Sequence, residues 1–215
     1  MAVDRAHWEK TYAEKDPDRA SWFQDLPVRS LRLIEGAELD PTAGIIDIGG
    51  GASNLAAELL RTGHTDVTVA DISGGALDRA RNALGPGSWR VRWLQADVRT
   101  YDFARTFDLW HDRAVFHFMV TAADREAYLA ALQGALDPSG HLVILTFGPA
   151  GPTQCSGLPV QRYDIDTLQA VLGPEFRVLS SGLEAHETPS GGHQQFLYAH
   201  LVRAAASVGG PSSQD

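Results

Sequence analysis

The chain is short of cysteine, of long apolar runs and of positive charge, and each shortage removes a class of protein. One cysteine in 215 residues permits no internal disulfide framework and no CxxC metal or redox pair. No HExxH pair or cysteine cluster marks a metal site, so none is expected. The longest apolar runs, such as Leu142-Val143-Ile144-Leu145, are strand-sized and far below a membrane span. Residues 1–8 lack the apolar centre of a signal peptide. A cytoplasmic protein without a membrane partner is the expectation. A formal net charge of −9 argues against a nucleic-acid partner. With 44% hydrophobic and 21% charged residues, the composition is that of an ordinary globular domain.

What is present is organised around Gly44-Ile45-Ile46-Asp47-Ile48-Gly49-Gly50-Gly51-Ala52-Ser53-Asn54. An apolar β-branched run carries one acid, breaks into three glycines, and hands over to Leu55–Leu60, which has helical spacing. This predicts a strand, a tight turn and a helix. The glycines permit positive φ and remove Cβ atoms that would hold a ligand off the main chain. Such a turn lies at the carboxyl end of the first strand of an open α/β sheet, where nucleotide-like ligands bind.

Before it, residues 4–15 predict a charged helix with Trp8 and Tyr12 on one face, and Asp16-Pro17-Asp18 predicts a turn. Trp22 and Phe23 follow, and Pro27 opens a second helix that Asp40-Pro41 stops. This segment, residues 1–43, reads either as helices packed on the core or as a helical cap over a ligand. After the glycines come strands at Val67–Asp71, Val91–Leu94, Phe107–Trp110 and His141–Phe147, with helices at 76–84 and 124–136 between them. That alternation implies a parallel sheet with right-handed crossovers. Residues 148–159 have no periodicity and predict a functional loop. A helix over Ile165–Leu172 precedes two late strands, Phe176–Leu183 and Gln195–Val202, joined as a hairpin. The main domain is placed at 44–203, with a flexible tail over 204–215.

The glycine turn alone fits two ligands. A dinucleotide site uses Gly-x-Gly-x-x-Gly, and here the third position is Asn54. Asp71 ends the second strand, at the distance where a carboxylate meets ribose hydroxyls in either case. Asp47 inside the first strand and Asp97 just past the third add an acidic rim, which suits a cationic ligand without phosphates. S-adenosylmethionine is such a ligand. The plain alternatives are that Asp47 holds the loop and Asp97 is a turn residue.

Asp47-Ile48-Gly49-Gly50-Gly51, Val69-Ala70-Asp71-Ile72-Ser73, Gln95-Ala96-Asp97-Val98 and Phe107-Asp108-Leu109-Trp110 occur in an order that resembles class I S-adenosylmethionine-dependent methyltransferases. The opening His7-Trp8-Glu9-Lys10-Thr11-Tyr12, with Ser21-Trp22-Phe23, resembles the branch of thiopurine and elongation-factor lysine methyltransferases. The resemblance implies a Rossmann-like α/β fold, with a seven-stranded, mostly parallel sheet, an antiparallel last strand and helices on both faces. It implies S-adenosylmethionine as cofactor and S-adenosylhomocysteine as product. By the same resemblance Gly49 and Gly51 meet the methionine and ribose part, Asp71 the diol, Ile72 and Val98 the adenine, and Asp97 its amino group. Trp8, Tyr12 and Trp22 cap the methionine end, and Asp47 and Arg113 complete the cofactor set.

Methyl transfer from a sulfonium needs alignment and exclusion of water, and a base only where the acceptor arrives protonated. His111 is the candidate base, with Asp112 orienting it or a cationic acceptor. The alternative is that His111 and Trp110 pack while Arg113 pairs with Asp112. The Asn/Asp-Pro-Pro-Tyr tetrad of many amino-nitrogen methyltransferases is missing, which counts against DNA-base methylation. Cys155 lies in the 148–162 loop as an acceptor-side thiol or a small buried hydrophobe, and His186, His193 and His200 are expected on the hairpin surface. The acceptor is a small molecule (thiol, chalcogen or other nucleophile) or a protein lysine. A non-catalytic cofactor-binding module and a nicotinamide-dependent oxidoreductase are the readings of other classes, and monomer and dimer are left open.

Overall fold

The computed structural model describes residues 4–14 and 20–204; the expected turn at 16–18 and nearly all of the expected tail lie outside them. The elements are α1 (Arg5–Glu14), α2 (Val28–Glu35), β1 (Gly44–Ile48), α3 (Leu55–Arg61), β2 (Asp66–Asp71), α4 (Gly74–Leu84), β3 (Val91–Gln95) and β4 (Phe107–Arg113). They continue with α5 (Ala122–Ala135), β5 (Leu136–Phe147), a small hairpin of β6 (Gln154–Cys155) and β7 (Leu158–Pro159), α6 (Ile165–Leu172), β8 (Phe176–Glu187) and β9 (His193–Arg203). Seven strands form one sheet in the order β3-β2-β1-β4-β5-β9-β8. β1 to β5 are parallel, and β9 runs antiparallel to both β5 and β8.

All five residues of β1 are buried, as a central parallel strand covered on both faces requires. Successive residues of β4 show the two faces. Trp110 hydrogen-bonds to Tyr128 on α5, whereas His111 meets Ser30 on α2, so these helices cover opposite sides. The strand order turns back between β1 and β4, and the crevice at that switch point is where open α/β sheets hold ligands. Ser73 caps α4 by accepting from the Ala76 N–H, and Thr121 caps α5 by accepting from Asp124.

β4 extends beyond the expected strand to include His111, Asp112 and Arg113. β5 starts at Leu136, so the expected Asp137-Pro138-Ser139-Gly140 turn lies inside the strand, beside a shift in register against β4. His186 and His200 are buried rather than on the surface, while His193 is exposed. Between β6 and β7, Ser156 and Gly157 take φ of +51° and +77°, the geometry that closes a two-residue hairpin.

The N-terminal segment lies across the carboxyl end of the sheet. Glu9 of α1 accepts hydrogen bonds from Ser73 Oγ (3.0 Å) and from the N–H groups of Gly74 (2.8 Å) and Gly75 (3.2 Å) at the start of α4. Further on, the Ser21 carbonyl bonds to His186 Nε2, the Trp22 carbonyl accepts from Arg113 Nη1, and the Asp25 carbonyl accepts from Asn54 Nδ2. Arg29 then pairs with Glu184 of β8 at 2.8 Å and lies over the Tyr198 ring.

Candidate functional site

The turn after β1 is built for close approach. Gly49 has φ +69°, and a Cβ there would collide with Val115. A Cβ on Gly51 would stand 2.6 Å from both Asp71 Oδ2 and Ala76 Cβ. The Gly51 N–H instead donates to Asp71 Oδ2 at 3.0 Å, and the Ser73 N–H to Oδ1 at 2.8 Å. Burial pushes the Asp71 carboxyl up to about 6 against these donors. At neutral pH it is largely ionised and keeps acceptor capacity toward the cleft.

Two adjoining hollows open here. The first is lined by Asp71, Ile72, Asp97, Val98, Phe118 and Cys155 among others, and the second by Ser30, Asp47, Gly50, Ser53 and His111. Tyr12, Trp22, Gly49 and Arg113 belong to both. Trp8 packs edge-on against Trp22 and Phe118, with centroids 6.0 and 5.2 Å apart, and Tyr12 meets Trp22 in the same way. The N-terminal aromatics are therefore a wall of the cleft and part of the core together.

Asp97 is held by Arg99. Its Oδ1 accepts from Arg99 N and Nε, and its Oδ2 from Nη2 at 2.7 Å. Burial alone would raise this carboxyl, but the Arg99 contacts outweigh it and hold the group below its ordinary value. One lone pair on Oδ2 stays available to a donor in the cleft.

Arg113 gives Nη1 to the Trp22 carbonyl at 2.6 Å and stacks over Phe196. Its buried Nε and Nη2 find no hydrogen-bond partner among the described residues. Those two donors form one edge of the guanidinium fork, the edge that matches a carboxylate. Burial lowers this group to about 10, so it is charged at neutral pH. Asp47, 2% exposed, has Oδ1 on His111 Nδ1 at 2.7 Å, while Oδ2 is buried with no partner among the described residues. Arg113, which lines both hollows, thus carries an unmatched cation edge, and Asp47, on the second, an unmatched carboxylate oxygen.

The structure brings Trp8, Tyr12, Trp22, Gly49, Asp71, Ile72, Asp97, Val98 and Arg113 to the first hollow, with Asp47 and His111 in the second; Gly51 stands behind Asp71. It separates His111 from Asp112. Successive strand residues face opposite ways, so Asp112 does not orient His111. It is fully buried against α5, where Oδ2 accepts from Tyr128 OH at 2.6 Å and Oδ1 from the Val115 and Phe116 N–H groups. Asp47 holds His111 Nδ1 instead, and Ser30 Oγ lies 2.9 Å from Nε2, so neither ring nitrogen is open to an acceptor. No Arg113–Asp112 pair forms either. Glu9 and Ser30 were reached by no sequence argument, since their partners lie far away in the chain. Cys155 is buried, on the wall of the first hollow. Among the described residues no group of three or more His, Cys, Asp or Glu is placed to hold a metal ion, and no helix is long and apolar enough to cross a membrane.

A glycine turn and strand-end acids at the switch point of an open sheet define a Rossmann-like cofactor-binding domain. A family model described as a methyltransferase domain matches residues 45–140. Trans-aconitate 2-methyltransferase of Azoarcus sp. (strain BH72) is 34% identical over 124 residues, 57% of this chain and 46% of that protein. EEF1A lysine methyltransferase 2 of Danio rerio is 26% identical over 147 residues, 63% of this chain and 61% of that one. The match therefore spans about half to three-fifths of these relatives' length. The N-methyltransferase NodS from Bradyrhizobium japonicum WM9, solved with S-adenosylhomocysteine, shares the fold with a TM-score of 0.69 at 18% identity, over 93% of this chain and 97% of that one. The chain is thus similar to S-adenosylmethionine-dependent methyltransferases, in sequence over residues 45–140 and in fold over most of its length.

Proposed function

We propose that the chain transfers a methyl group from S-adenosylmethionine to a small-molecule nucleophile by in-line displacement. The observation that carries the reading is the pair of unmatched groups, Asp47 Oδ2 and the Nε/Nη2 edge of Arg113. Together they complement an α-amino acid, with a carboxylate for the ammonium and a guanidinium fork for the carboxylate. The first hollow supplies Asp71 for a ribose diol, Ile72 and Val98 as apolar walls for a base, and the remaining lone pair of Asp97 for its amino group. The two hollows meet at Gly49, so one ligand with a nucleoside at one end and an amino acid at the other fits both. The bound cofactor supplies an activated methyl on a sulfonium. This chain's part is to hold both ends of it, to align the acceptor and to exclude water, the last through Trp8, Tyr12 and Trp22.

Neither His111 nor Asp112 presents a free basic atom to the cleft. The reading therefore favours an acceptor that arrives as a ready nucleophile, such as a thiolate or another soft anion, over one needing deprotonation. A second reading, methylation of a protein lysine, is favoured by the likeness to EEF1A lysine methyltransferase 2.

Calorimetric titration with S-adenosylmethionine, S-adenosylhomocysteine and NAD tests the cofactor assignment, followed by methyl-transfer assays on small thiols and on basic peptides. Micromolar binding of the adenosyl ligands without NAD is expected. Asp71→Ala should weaken that binding about tenfold or more, since a charged hydrogen-bond acceptor is lost. Unchanged affinity in that variant would sink the diol assignment, and turnover on lysine peptides alone would replace the small-molecule reading.

A further inference from the structure

One buried chain of polar groups enters the cofactor reading only at its end, Asp47. Ser30 of α2, His111 of β4 and Asp47 of β1 lie in line, with Ser30 Oγ 2.9 Å from Nε2 and Asp47 Oδ1 2.7 Å from Nδ1. All three are at most 2% exposed, so water does not substitute for any link. His111 and Asp47 are directly paired across β4 and β1, which places both side chains on one face of the sheet. The Asp47 carboxylate accepts from Nδ1–H, and Ser30 Oγ meets Nε2. His111 is thereby held at both ends.

The consequence falls on Asp47. A terminal carboxylate torsion is soft, and one oxygen tied to His111 leaves the other in a defined direction. That other oxygen is the unpartnered Oδ2 in the second hollow. Gly50 leaves it uncovered, because a Cβ at that position would collide with Asp47 Oδ2. Building on the proposed cofactor reading, we infer that His111, braced by Ser30, is a positioning residue: it aims Asp47 at the ammonium of the cofactor's amino-acid end.

The contrast is a plain packing tie between α2 and the sheet. The two roles separate by ligand and by substitution. S-adenosylhomocysteine carries the amino-acid end, and 5′-methylthioadenosine carries the nucleoside alone. His111→Asn keeps a donor near the Nδ1 position and so keeps the bond to Asp47. His111→Gln reaches the Nε2 position and loses it. Both are polar and close in size to the original, and thermal unfolding checks that each folds.

Calorimetry on the purified chain is expected to show S-adenosylhomocysteine binding about tenfold or more weaker in His111→Gln and within about threefold of the parent in His111→Asn. The affinity for 5′-methylthioadenosine should stay within about twofold in both. Equal losses for the two ligands, or no loss in His111→Gln, overturns the positioning role and leaves the packing tie. If the parent protein binds neither nucleoside, the cofactor reading itself fails, before any variant is measured. Ser30→Ala gives an independent check and should weaken S-adenosylhomocysteine alone, by a smaller factor than His111→Gln. A loss confined to 5′-methylthioadenosine would contradict the inference.

Discussion

Replacing Tyr128 by phenylalanine should cost more stability at neutral pH than at mildly acidic pH. The Trp110 indole N–H donates to the Tyr128 hydroxyl at 2.9 Å, and that hydroxyl donates to Asp112 Oδ2 at 2.6 Å. All three residues have no exposed surface. Removing one oxygen strands a donor on one side and a carboxylate oxygen on the other. At about 1–3 kcal/mol for each of the two buried groups left unpaired, the loss is ~2–6 kcal/mol, or about 4–24 °C in melting temperature for a domain of this size. Burial pushes the Asp112 carboxyl up to about 6, and the Tyr128 bond, with the Val115 and Phe116 N–H groups, works against that rise. Because the folded value lies above the ordinary 3.8, the native state binds this proton more tightly than the unfolded chain. Asp112 therefore costs stability progressively as pH climbs from about 4 through 6. Without the hydroxyl that penalty grows, and only where the group is ionised. Urea unfolding of both proteins at pH 5 and pH 7.5 should show the larger difference at pH 7.5. At pH 5 the difference should shrink toward that of the stranded indole, about 1–3 kcal/mol. A difference that does not change with pH, or one below about 1 kcal/mol at both, would refute the argument from the stranded carboxylate.

Gly51→Ala places a Cβ 2.6 Å from Asp71 Oδ2 and from Ala76 Cβ. It should destabilise the fold by ~1–3 kcal/mol and abolish measurable cofactor binding by calorimetry; retained binding would mean the turn has room that this geometry denies. Glu9→Ala removes the acceptor for Ser73 and for two N–H groups at the start of α4. Loss of these contacts costs about 1 kcal/mol and loosens α1 over the cleft, so stopped-flow release of S-adenosylhomocysteine should speed up several-fold. An unchanged release rate would show that α1 does not limit exit from the cleft.

The centre of the fold was legible because a parallel strand covered on both faces must be largely apolar, and Ile45-Ile46 and Val67-Thr68-Val69-Ala70 are, with one buried threonine. The acids at the strand ends stood out for the same reason. His111, Asp112 and Arg113 interrupted the apolar signal of β4, although the strand runs through them. Their charges and hydrogen bonds are met by Asp47, Ser30, Tyr128 and Trp22, which no local pattern announces. Asp137-Pro138-Ser139-Gly140 carries turn chemistry and nevertheless falls within β5, at a break in register where the ladder tolerates a proline. The strands β6 and β7 are two residues each, too short for any periodicity. His200 looked like a hairpin surface residue, but β9 lies between β5 and β8, and an interior strand buries what an edge would expose. In the site, Asp71 was readable from its place after the glycines. The free edge of Arg113 was not, because it is defined by which atoms other residues leave alone.

The N-terminal segment owes its place to residues made much later in the chain. Ser21 is tied to His186 across 165 positions, and Arg29 to Glu184 across 155, whereas the tie from Asn54 to Asp25 spans 29. Closing the longest of these loops costs about 1.5 kcal/mol more than closing the shortest, and it cannot occur before β8 has been synthesised. During translation the glycine turn and the β1–β2 unit emerge and can meet Asp25 and Glu9 while Ser21 and Arg29 still lack their β8 partners. The ties of Ser21 and Arg29 are thus among the last to form, and the cover over the cleft is completed only when the final hairpin arrives.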